Sequence, residues 1–237
     1  MAEIVIDVIN QSTVVPDAQV EILAIHLQIQ VSRDFAPIWG TDAIVHFLPK
    51  TVTPSAKSWQ LVILDDADQA GALGYHDLTA AGLPLGKVFA RTTIKAGLQW
   101  SVTASHELLE MLGDPDINLT AFVQDTNTTG RLYAYEVCDA CEDDSFGYDI
   151  GTLQPTRVSD FVTPAWFEPQ GTSLNPTFDF KGHVTAPFQL LKGGYIGIFD
   201  VTSGSGWTQL TAESAPVVSK PRLASRTVPP LNRKRSK

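Results

Sequence analysis

Val102-Thr103-Ala104-Ser105-His106-Glu107-Leu108-Leu109-Glu110-Met111-Leu112-Gly113-Asp114-Pro115-Asp116 is the stretch that decides how this chain is organised. Ser101 is suited to cap a helix, and Gly113 and Pro115 are stop signals, so a helix is predicted from about Ser101 to Leu112. At ~100° per residue, Val102, Ser105, Leu108, Leu109 and Leu112 fall on one arc, while His106 and Glu110 share the adjacent stripe. An imidazole and a carboxylate four residues apart on one face can reach a single ion. Glu107 lies further round the polar side, placed to hold a water rather than to bind the ion. Gly113 permits a turn that could return Asp116 toward the first two groups. The alternative is a solvated face on which His106 and Glu110 merely touch, a contact worth ~0.3 kcal/mol.

Before this helix, Glu3 to Ile9 alternates polar and apolar residues as a half-buried strand does. From Pro16 to Phe35, Val20, Leu23, Ala24, Leu27 and Val31 recur at helical spacing, and Pro37 is read as lying beyond the end. Ala43 to Leu48 and Gln60 to Leu64 read as strands, Gly71 to His76 and Lys87 to Thr92 as shorter extended runs. After Asp116 the texture is β-rich: Leu132 to Val137, Tyr148 to Ile150, Arg157 to Val162 and Tyr195 to Val201, with a turn at 203–206. The fold class is therefore α/β (α+β), a mixed sheet with two main helices and a β-rich C-terminal part. The implied partition is an α/β subdomain at 1–116, a β-rich subdomain at 117–219 completing a cleft, and a tail at 220–237.

The helix motif, read as HExxExxGxxD, resembles that of the zincin metallopeptidases. Within them it is closest to the metzincins, whose signature is HExxHxxGxxH or HExxHxxGxxD. The strand, long helix and further strands ahead of it look similar too, so the likeness covers about residues 3–116. It implies a metal-dependent hydrolase acting on a peptide or protein substrate. His106, Glu110 and Asp116 would be the metal ligands and Glu107 the general base. Glu110 stands where the family has histidine, which makes the donor set harder; Zn2+ is expected, with manganese, iron or calcium as alternatives. Asp114 and the carboxylates of 135–142 compete with Asp116 as third ligand, Glu136 being the runner-up. No methionine follows the helix, since the chain's two are Met1 and Met111. An edge strand at Ala70 to His76 would hold extended peptide by backbone pairing. There His76, with Tyr75, could contact substrate, or be an ordinary core or surface histidine, the commoner case.

The 237 residues are 43% hydrophobic and 18% charged, which excludes global disorder and coiled coil. No apolar run approaches the ~18 residues of a membrane span, and Glu3 and Asp7 stand where a signal peptide would be basic, so a soluble, cytoplasmic protein is expected. Net charge is −9, yet 220–237 holds seven basic residues and no acid, leaving 10 basic against 26 acidic in 1–219. So acidic a body repels nucleic acid and membrane phosphates. The tail is expected to be a solvated, disordered terminus. Cys138 and Cys141 form a lone CxxC beside Glu142, Asp143 and Asp144, which argues against a reactive thiolate and for partly buried thiols or a local bridge. Ser105 cannot face His106 on a helix, which excludes that triad. The five tryptophans read as core. Besides the hydrolase, the sequence allows a non-catalytic binding or assembly protein on the same framework, or a glycosidase using two facing carboxylates.

Overall fold

The computed structural model describes residues 3–168, 176–204 and 206–212; the basic tail expected at 220–237 lies outside them. A five-stranded sheet of order β2-β1-β3-β5-β4 organises the first half. Its strands are β1 (Val5–Asn10), β2 (Ile44–Leu48), β3 (Trp59–Leu64), β4 (Gly74–Leu78) and β5 (Pro84–Phe89). All neighbours are parallel except β4, which runs antiparallel to β5 at the edge. The mixed α/β class read from the sequence is the class observed.

Helix α1 (Asp17–Ile29) crosses from β1 to β2, and α4 (Trp100–Gly113) packs against β5 and β4. Ile6 and Val8 of β1 and Leu61 and Ile63 of β3 meet Leu23 and Leu27 of α1 and Leu108 and Leu109 of α4 in one cluster. Both helices therefore cover the same face of the sheet. Every second strand residue points there, as strand geometry demands. Each fully buried Leu or Ile contributes about 1.5–3 kcal/mol relative to exposure. Val137, Cys138 and Phe161, from beyond residue 116, belong to that same cluster.

The first helix does not stop before Pro37. It widens into a π-helical segment, Gln30–Phe35, and resumes as α2 (Ala36–Trp39), closed by Gly40 at φ 74°. Pro37 stands in the first positions of α2, where its missing N–H costs nothing. Extended structure likewise ends at Phe89, and Ala90–Lys95 forms α3 rather than prolonging the strand.

A four-stranded antiparallel sheet of order β11-β10-β7-β6 follows, made of β6 (Thr120–Gln124), β7 (Gly130–Ala134), β10 (Tyr195–Asp200) and β11 (Trp207–Thr211). The hairpin of β8 (Tyr148–Ile150) and β9 (Thr156–Val158) lays β9 against α4. A second cluster gathers Tyr133, Val162, Trp166, Phe167 and Ile196. Trp166 is wholly buried and donates its indole N–H to the Gln189 carbonyl at 2.9 Å. Residues 161–167 thus form a largely buried corner.

Candidate metal centre

Helix α4 is buried from Ser101 to Leu112, so the solvated-face alternative for His106 and Glu110 is overturned. Its start is set from a distance. Ser101 is not the cap; it lies inside the helix and donates to the Arg157 carbonyl at 2.8 Å. Asp144 takes the N-terminal position instead, accepting from the Gln99 N–H at 2.6 Å, where a carboxylate also opposes the helix dipole.

The sheet beneath is bare where the helix needs room. A Cβ at Gly74 would lie 2.6 Å from Glu107 Oε1 and 2.8 Å from the Lys87 carbonyl oxygen. At Gly86, opposite His76 on β5, it would lie 2.7 Å from Leu61 Cδ1 and 3.3 Å from Met111 Sδ. Two glycines therefore let Glu107 and Met111 approach the strands closely. Alternation along β4 then aims His76 at the helix and Tyr75 away from it.

Around α4 converge His76 of β4, Glu136 and Cys138 of the segment after β7, and Asp139 of the 3-10 turn Asp139–Cys141. His106 Nε2 lies 3.2 Å from Glu110 Oε1 and 3.2 Å from Asp139 Oδ1. His76 Nδ1 lies 3.3 Å from Glu110 Oε2 and 3.6 Å from Glu107 Oε2, and its Nε2 is 3.7 Å from Glu136 Oε2. Each of these residues is at most 1% exposed.

Proximity without hydrogen bonding marks the cluster. Both nitrogens of His76 and of His106, both oxygens of Glu107, Glu110 Oε2 and Asp139 Oδ1 are buried and make no hydrogen bond, as is the Tyr195 hydroxyl. Leaving a buried polar atom unmatched costs about 1–3 kcal/mol, more for a charged one. Nitrogens and oxygens that crowd together at 3.2–3.7 Å without meeting hydrogen-bond geometry are groups a cation can satisfy. His106, Glu110 and Cys138 each offer one ligand atom within 4.8 Å of the others, and so do His76, Glu110 and Glu136.

The electrostatics follow from the same crowding. Burial pulls the His76 pKa down, but Glu136, Glu107 and Glu110 outweigh it and raise it to about 10. His106 is raised well above its ordinary value, burial again opposing and Glu110 and Asp139 prevailing. Burial pushes Glu107, Glu136 and Asp139 up, while Glu110, despite its own burial, is held well below the carboxylate range by the two histidines. Cys138 and Cys141 are free, fully buried thiols, not a bridge, and burial raises both.

Asp160, Asp179 and His183 form a third group with ligand spacing. There the carboxylates are already matched: Asp160 accepts from the Phe161 and Lys181 amides, and Asp179 from those of His183 and Val184. That group needs no ion to be satisfied.

No family model, curated protein or solved structure matches the chain.

Of the residues expected from the sequence, His106, Glu107, Glu110, His76 and the runner-up Glu136 come together. Asp116 does not: it is exposed on the turn after α4. The physical reason is that Gly113 serves close packing rather than a chain reversal, since a Cβ there would lie 2.8 Å from Val137 Cγ1. Asp114 occupies the turn instead, accepting from the Asn118 and Leu119 amides. Tyr75 also stands apart, on the opposite face of β4, its hydroxyl bonded to Asp68 and Lys87 and its ring beside Phe89. Asp139 stands in the sequence reading only as one of the carboxylates of 135–142, and Cys138 and Tyr195 have no ligand role there. The clustering of Glu136, Cys138 and Asp139 within four residues was the available signal, but only the tertiary fold brings it to α4.

Proposed function

We propose that this chain is a metal-dependent hydrolase of peptide or protein substrates, with His106 and Glu110 at the centre of a divalent-cation site. The convergence of buried, unmatched nitrogens and oxygens on Glu110 carries this reading. His76, Glu136 and Cys138 complete the donor set in place of Asp116. Imidazole, carboxylate and thiolate together suit Zn2+, with another divalent cation as alternative. A bound cation supplies Lewis acidity to a substrate carbonyl and acidifies water.

Glu107 is the proton acceptor in this reading. It adjoins His106 on α4, its Oε2 faces His76 at 3.6 Å, and burial raises its pKa above the ordinary carboxylate value. Strand β4 pairs only with β5 among the described residues, so its outer edge supports the expectation of an extended peptide bound by backbone hydrogen bonds. The test is peptide hydrolysis by wild type and Glu107→Gln, with metal content measured on both. The reading requires activity in wild type, and its loss in the variant with metal retained.

Near-complete burial favours a second reading, a resident cation that clamps α4 to residues 136–139 without turnover. It requires that chelation lower the melting temperature while wild type hydrolyses no peptide. No helix among the described residues is long and apolar enough to cross a membrane.

A further inference from the structure

We infer that the cluster binds two divalent cations bridged by Glu110, one held with His106 and Cys138, the other with His76 and Glu136. This rests on the metal-binding reading above and extends it. The two triplets are separate except for Glu110, which belongs to both. Its oxygens are divided between them: Oε1 faces His106 at 3.2 Å, and Oε2 faces His76 at 3.3 Å. One carboxylate presenting an oxygen to each of two imidazoles is the arrangement of a bridging ligand. Two-metal centres place their ions roughly 3.5–4 Å apart, a span one carboxylate covers.

Charge points the same way. Glu107, Glu110, Glu136 and Asp139 are four carboxylates shut away from water. With Cys138 ligating as thiolate the donors carry five negative charges: a single dication leaves three to be neutralised by protons, whereas two dications leave one, with both histidines neutral and free to ligate. The spare carboxylates are shared out as well, Asp139 lying beside His106 and Glu107 beside His76. The donor sets differ in softness. Sulfur, nitrogen and oxygen around His106 favour zinc or cobalt, and nitrogen with two carboxylates around His76 suits a harder ion such as manganese.

Chelator-stripped full-length protein would be reloaded with Zn2+ or Mn2+, desalted, and its bound metal counted. The expected result is two equivalents in wild type and one in each of His76→Ala and His106→Ala. Mn2+-loaded wild type should show a spin-coupled resonance spectrum. Co2+ should give a thiolate charge-transfer band that His76→Ala keeps and Cys138→Ser loses. One equivalent in wild type, unchanged in His76→Ala and with an uncoupled Mn2+ spectrum, would overturn the two-ion inference and leave the metal site standing. No bound metal in wild type overturns both. Should a variant fail to fold, the wild-type count and spectrum decide alone.

Discussion

Replacing Gln30 with leucine tests how α4 is held in register with the rest of the fold. Gln30 is wholly buried in the π-helical segment. Its amide donates to the Ser159 carbonyl at 2.9 Å and the Tyr148 hydroxyl at 3.2 Å, and its oxygen accepts from Ser105 Oγ at 2.7 Å. Ser105 Oγ in turn accepts from the Ser159 N–H at 3.0 Å. Leucine nearly conserves volume, so the cavity contribution is small. It strands the Ser159 carbonyl and the Ser105 hydroxyl proton, whereas Tyr148 still donates to Asp34. Two buried groups at about 1–3 kcal/mol each give an expected loss of about 2–6 kcal/mol. Urea unfolding in the presence of chelator, read as a lower midpoint at constant slope, measures it. Because Ser105 precedes His106, metal affinity should weaken in the same variant. A loss below about 1 kcal/mol would refute the reasoning, since it would mean that water or relaxation satisfies both stranded groups.

Gly74→Ala should destabilise by about 1–3 kcal/mol and weaken metal binding, because the added methyl meets Glu107 and the immovable Lys87 carbonyl; denaturation and metal titration check both. Tyr195→Phe removes a buried hydroxyl without a hydrogen bond, so stability of the stripped protein should stay within about 0.5 kcal/mol or rise. Burial and then the neighbouring Asp179 raise the Asp160 pKa from 3.8 to about 8. A folded-state value above the unfolded one means that stability is full below pH ~4 and lost as pH climbs toward 8. Asp160→Asn, which mimics the protonated acid, should flatten that slope in unfolding measured from pH 4 to 8. At 100 times its dissociation constant, bound metal should add about 2.7 kcal/mol, seen as a melting temperature that falls on chelation.

Local spacing made half of the site legible. His106, Glu107 and Glu110 share one helix, whose period forces their mutual placement whatever surrounds it. The edge position of β4 was expected from the resemblance alone, since a short extended run does not say where in a sheet it lies. Glu136 was legible only as a runner-up and Cys138 and Asp139 were not singled out, because all three reach α4 through the packing of Val137 on Gly113, a contact between distant segments with no periodic signature. Asp116 failed for the same reason: a glycine that permits a turn and a glycine that permits close packing look identical in one sequence. Pro37 misled as a stop because a π-helical segment shifts the hydrogen-bond register and gives proline a harmless place.

The walls around His76 and His106 have a kinetic consequence. A cation lodged where every neighbouring side chain is sealed from solvent leaves only when α4 and residues 136–139 part, so its residence time is the lifetime of the closed fold. On the metal-binding reading, exchange is gated by that opening: chelator and competing ions act slowly on the folded protein, and stripping the centre takes conditions that loosen α4.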